Sequence, residues 1–97
     1  MEKKTNKYRL ILELKQYANG DTEPYKIVEI DFENHDEIFN IIDRVTAKNP
    51  FNDTDQAVQF ALGLKLFSEV LIKNRTHPVF EDFNEEFSVF MKKVKSL

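Results

Sequence analysis

The chain contains no cysteine, and that absence removes thiolate catalysis, cysteine-based zinc sites and disulfide staples together. It also agrees with a reducing compartment. Folding does not suffer, because a 41% hydrophobic fraction with nine phenylalanines and three tyrosines supplies a core without metal or disulfide. Glycine is nearly as scarce. Gly20 and Gly63 are the only two, so there is no Gly-rich phosphate loop. Long apolar runs are missing as well. The basic opening MEKKTNKYRL reaches Glu13 and Lys15 before any apolar stretch of the kind a secretory signal needs. Gln59, Lys65, Ser68 and Glu69 interrupt the apolar-rich segment 57–72, which rules out the roughly 20 apolar residues of a membrane span. The expectation is a soluble cytoplasmic protein with no membrane partner.

A basic excess is also absent. The net charge of −3 argues against nucleic acid as a partner, since neutralising phosphates takes a basic face. Charge is nevertheless uneven. Lys3, Lys4, Lys7 and Arg9 lie near one end and Lys92, Lys93 and Lys95 near the other, while Glu29, Asp31, Glu33, Asp36, Glu37 and Asp43 form an acidic middle that ends at Arg44. A chain of 97 residues makes one domain, of radius about 13 Å, burying roughly 60–65% of its unfolded surface. The expected division is a tail over 1–6, a β-hairpin over 7–33 and a helical region over 34–97.

What is present is periodicity. From Lys7 to Tyr17, Tyr8, Leu10, Leu12 and Leu14 alternate with Lys7, Arg9, Glu13 and Lys15, the pattern of a half-buried strand interrupted only by Ile11. The segment ANGDTEP carries the Asn-Gly pair and proline of a turn region, and alternation resumes with Val28, Ile30 and Phe32 inward. These two strands make a hairpin, with Lys7 and Arg9 opposite two of Glu29, Asp31 and Glu33 according to register. A two-stranded sheet is marginal alone, so its Leu-rich face is expected to pack on helices.

Asn34 with Glu37 reads as a capping box opening a first helix, whose Ile38, Phe39, Ile41, Ile42 and Val45 recur at helical spacing until Asn49-Pro50. Asp53 with Gln56 repeats the signature, and a second helix runs to about Asn74. Its wide apolar stripe leaves a thin polar strip of Lys65, Glu69 and Lys73, which makes it the central helix. Gly63 costs about 1 kcal/mol there relative to alanine, so close approach of another backbone is expected at that point. Phe80, Phe83, Phe87, Phe90 and Val94 then step by three and four along a third helix closed by lysines. The fold class is α+β in the order strand, strand, helix, helix, helix.

Few residues suggest chemistry. The stretch KNRTHP between the second and third helices has two readings. As a corner, Lys73 and Arg75 complement the helix end, Asn74 takes the left-handed capping conformation, Thr76 caps the next helix and Pro78 opens it. As a site, Lys73, Asn74, Arg75, Thr76 and His77 surround free helix amides and hold a phosphate or carboxylate. The corner reading is preferred, since it accounts for every residue without a ligand. Glu33, His35 and Asp36 hint at a metal, but the capping signature at Asn34 means the strand no longer aligns them. Ser68 and Ser88 lie on helices outside any nucleophile-elbow motif. The Phe83, Phe87, Phe90 stripe reads as core before it reads as a partner groove or the seam of a dimer, and Lys92, Lys93 and Lys95 as a solvated helix end. No catalytic residue, metal or cofactor is expected.

The run GLKLFSEVLIKNR over Gly63 to Arg75, followed by His77-Pro78, Phe80 and the terminal FMKKVK, resembles a small bacterial family of unknown function, DUF3861, and FENHDEIF over Phe32 to Phe39 is similar to that family's link between hairpin and first helix. The resemblance spans nearly the whole chain. It implies an α+β hairpin-and-helix fold and no activity, so there are no catalytic residues to carry over. The expected function is a non-catalytic interaction module whose partner is another protein or a second copy, with a homodimer in view because a two-stranded sheet has two unpaired edges. A small-ligand or anion-binding regulator using Lys73 to Pro78 is the alternative.

Overall fold

The computed structural model describes residues 4–97; residues 1–3, which include Lys3 and half of the expected tail, lie outside the described residues. Two antiparallel strands precede the helices, and the chain divides into two compact units, one ending at Glu37 and one spanning Ile38 to Leu97.

In the first unit, β1 (Asn6–Glu13) pairs with β2 (Ile27–Asn34) so that Lys7 faces Glu33, Arg9 faces Asp31 and Leu10 faces Ile30. The alternation of the sequence thereby becomes two faces, one carrying Tyr8, Leu10, Leu12, Val28, Ile30 and Phe32, the other Lys7, Arg9, Glu29, Asp31 and Glu33. The strands are joined through a tight turn in which Gly20 N donates to Tyr17 O at 2.9 Å and Tyr17 N to Asp21 O at 2.7 Å. Gly20 has φ +97°, the left-handed region that a glycine enters without Cβ cost, which is why the Asn-Gly pair marks this position. The other end of the hairpin is locked by polar groups. Buried Asn34 accepts the Asp36 amide on Oδ1 at 2.9 Å, while Tyr8 Oη and Asn6 Nδ2 donate to Asp36 O at 3.0 and 3.3 Å.

The capping signature opens a helix right after Asn34; the Asn side chain closes a short turn at the strand end, and α1 (Ile38–Lys48) begins at Ile38. In the second unit α1 ends as read: Asn49 adopts φ +45° and its amide returns to Val45 O at 3.0 Å, a left-handed cap before Pro50. Asp53 Oδ1 then accepts Gln56 N at 3.1 Å and opens α2 (Thr54–Lys73).

Ala57 and Ala61 are fully buried, with Ser68 and Leu71 on the same face of α2. The small side chains let α1 and α2 pack closely. Gly63 does not take part in this. The expectation of a backbone close to Gly63 is overturned: a Cβ built there meets nothing within 4 Å, because the close approach uses the alanine face and Gly63 lies on an exposed one. The helix expected from Phe80 is divided into α3 (Pro78–Glu81) and α4 (Asn84–Lys95). Asn84 Nδ2 reaches back to Arg75 O and Phe80 O at 3.0 and 3.2 Å, and Phe83 N donates to Phe80 O, which together fold the chain over between them.

Candidate interaction surface and helix corner

The corner begins where α2 stops. Lys73 Nζ lies 3.6 Å from Glu69 Oε1, and Asn74 Nδ2 donates to Val70 O at 2.7 Å while its amide reaches Leu71 O. Asn74 has φ −133°, so the expected left-handed cap is corrected: the side chain satisfies the helix end and removes the need for a left-handed backbone. The expected cap at Thr76 moves one residue on. His77 Nδ1 accepts the Val79 amide at 3.1 Å, with Pro78 following in the first position of α3. Lys73, Asn74, Arg75, Thr76 and His77 are all exposed. The structure thus brings the five together in sequence order around a turn whose backbone groups bond within the chain: Arg75 O accepts from Asn84, and His77 N donates to Asn74 O.

The other candidates resolve similarly. His35 Nε2 and Asp36 Oδ1 are 3.8 Å apart on the surface, and among the described residues no group of three His, Asp or Glu side chains is placed to hold a metal ion. Ser68 is buried with Oγ turned to Lys65 O of its own helix at 3.4 Å.

The phenylalanine stripe does more than line one helix. Phe67 of α2 packs edge-on against Phe80, Phe83 and Phe87 at centroid distances of 5.9, 6.3 and 6.0 Å, and Phe60 meets Phe51 and Phe90 at 5.3 and 6.4 Å. The spacing shows one stripe, but the participation of Phe51 from the loop before α2 depends on the turn that follows Asn49. Phe67, Phe83 and Phe90 nevertheless remain partly exposed, and no residue of α3 or α4 is fully buried.

Apolar side chains are exposed on the hairpin as well. Leu12 is 69% exposed, Val28 57% and Ile30 43%, all on the apolar sheet face, and Ile11 and Ile27 on the opposite face are exposed too. At the Asn34 end Tyr8 and Phe32, opposite each other in register, stack at 5.3 Å. On the polar face Arg9 Nε donates to Asp31 Oδ1 at 2.9 Å. That hydrogen bond, with the attraction of unlike charges, holds the Asp31 carboxyl below its ordinary range and raises Arg9. Both are solvent-exposed, so screening leaves the pair little weight in stability. At the far end Tyr25 Oη donates to Glu13 Oε2 at 2.7 Å, which pushes the phenol above its usual value. Sequence alternation located these strands and the two faces they carry.

The hairpin-then-helices order, with these two units, defines a small α+β domain of one recognisable class. A family model described as "Domain of Unknown Function with solved-structure structure" (DUF3861) matches residues 6–96, and the chain belongs to that family. It is similar to a crystal structure of a protein of unknown function (eca1910) from Pectobacterium atrosepticum, at 31% identity and TM-score 0.85, over 97% of this chain and 100% of that one. No curated protein matches the chain. No helix among the described residues is long and apolar enough to cross a membrane.

Proposed function

We propose that the protein is a non-catalytic cytoplasmic interaction module that associates with a second copy of itself. The observation that supports this is the exposed apolar face of the sheet, Leu12, Val28 and Ile30, on a ribbon of two strands among the described residues. Such a ribbon is marginal in water, and contiguous apolar surface on a small protein marks a place that another surface covers. Sedimentation velocity over a concentration series tests the reading: a shift from monomer to dimer is expected, and a monomer at every concentration overturns it. The anion-binding alternative at Lys73 to Pro78 draws less support, because His77 Nδ1 already occupies the Val79 amide that a ligand would use. A thermal shift given by phosphate or a carboxylate and abolished by Arg75→Ala would restore it.

A further inference from the structure

The two edges of the sheet differ in what they offer a partner. Leu14 N donates to O of Lys26 at 2.9 Å, and these residues are opposite each other in the extended register. Bonded pairs therefore fall at the even positions of β1, and the amides and carbonyls of Lys7, Arg9, Ile11 and Glu13 point to the outer edge. The sheet has two strands among the described residues, so that row meets no third strand. By the same alternation β2 turns Ile27, Glu29, Asp31 and Glu33 to its own outer edge.

We infer that β1 pairs antiparallel with β1 of a second copy about a two-fold axis at Leu10, producing a four-stranded sheet. The inference rests on the self-association reading and specifies its edge and register. Charge order selects both. With Leu10 on the axis, Lys7 of each copy stands opposite Glu13 of the other, Arg9 stands opposite Ile11, and the strands overlap from Lys7 to Glu13. Moving the axis to Ile11 keeps Arg9 against Glu13 but sets Lys7 against Lys15, which lies beyond β1, and shortens the strand overlap to Arg9–Glu13; moving it to Arg9 sets that arginine against itself. On the β2 edge, either register of full overlap places acid against acid, Glu29 facing Asp31 or Glu33. The acidic block thus closes one edge to self-pairing and leaves the other open.

Packing favours the same register. Tyr8 of one copy falls opposite Leu12 of the other, and Leu10 opposite Leu10, at the non-bonded positions where cross-strand side chains come closest. Leu12, the most exposed residue of the apolar sheet face, then gains an aromatic ring. The apolar faces of both hairpins become one continuous surface, because a two-fold perpendicular to the sheet keeps equivalent faces on the same side.

The full-length chain carries the test in two charge reversals. Lys7→Glu and Glu13→Lys each set like charges across the paired edge, and each is expected to raise the dimer dissociation constant about tenfold or more. An equimolar mixture of the two recovers association, because each variant supplies the charge that the other has lost. Circular dichroism of each variant shows whether it folds. Hydrogen exchange on the wild type makes the test independent of that: the amides of Lys7, Arg9, Ile11 and Glu13 are expected to slow as concentration rises, and those of Glu29 and Asp31 are not. A wild-type dimer whose reversals associate undiminished, or whose β1 edge amides do not slow, overturns the pairing and leaves self-association standing. A wild type that stays monomeric removes both.

Discussion

Gly63 lies on an exposed face of α2, ten residues into the helix, and open space surrounds the position of its missing Cβ. Glycine in such a place costs backbone entropy without easing any contact, so Gly63→Ala is expected to stabilise the monomer by about 0.5–1 kcal/mol. Urea unfolding at one fixed protein concentration measures it; a less stable variant would mean that a neighbouring molecule reaches the helix at this point. Asn34 teaches the complementary lesson. Its side chain closes the Asp36 turn and its backbone ends β2 opposite Asn6, so one residue that reads as a helix cap serves a strand end. Residue type identified a capping group in both Asn34 and KNRTHP. Which amide each one caps depends on where the preceding element stops, and that is decided by partners distant in sequence: Asn6 and Tyr8 for the first, Asn84 for the second.

At the scale of elements, the short α3 depends on its cap. A helix of one turn is held by few backbone bonds, here Phe80 N and Glu81 N to His77 O, and His77 Nδ1 satisfies one more of its amides while Asn84 holds the carbonyl side. His77→Ala is expected to cost about 0.5–2 kcal/mol, and His77→Asn to lose less, because an Asn carbonyl can accept the same amide. Chemical denaturation compares them, and equal stability of all three proteins would show the cap to be incidental. The element order and the hairpin were legible from period alone, because alternation in Tyr8, Leu10 and Leu12 and three-four spacing in α1 and α2 are direct images of how backbone geometry distributes side chains. The break between α3 and α4 was not, since Phe80, Phe83 and Phe87 keep helical spacing across it; the aromatic rings hold to Phe67 whether or not the backbone beneath them is continuous. The choice of edge was hidden for a different reason. Lys7, Glu13 and the acids of β2 are plain in the sequence, but which of them share a rung follows only from the register.

For the whole molecule, self-association ties stability to concentration. A chain that folds as a dimer is stabilised by mass action, and a hundredfold rise in protein concentration adds about 2.7 kcal/mol per dimer, or about 1.4 per chain. For a domain of this length each kcal/mol moves the thermal midpoint by about 4–8 °C, so the wild-type midpoint is expected to climb by roughly 5–10 °C over that range. Glu13→Lys should unfold at a midpoint nearly independent of concentration. The contrast separates two sources of apolar exposure in the hairpin. If the ribbon is completed by a second copy, concentration supplies its missing strand and Leu12 packs against Tyr8 of that copy as the dimer forms. If its stability is wholly internal, dilution costs nothing and both proteins melt at fixed temperatures. Scanning calorimetry on the two chains across the concentration series decides between them, and a flat wild-type midpoint would remove the pairing of β1 with a second copy.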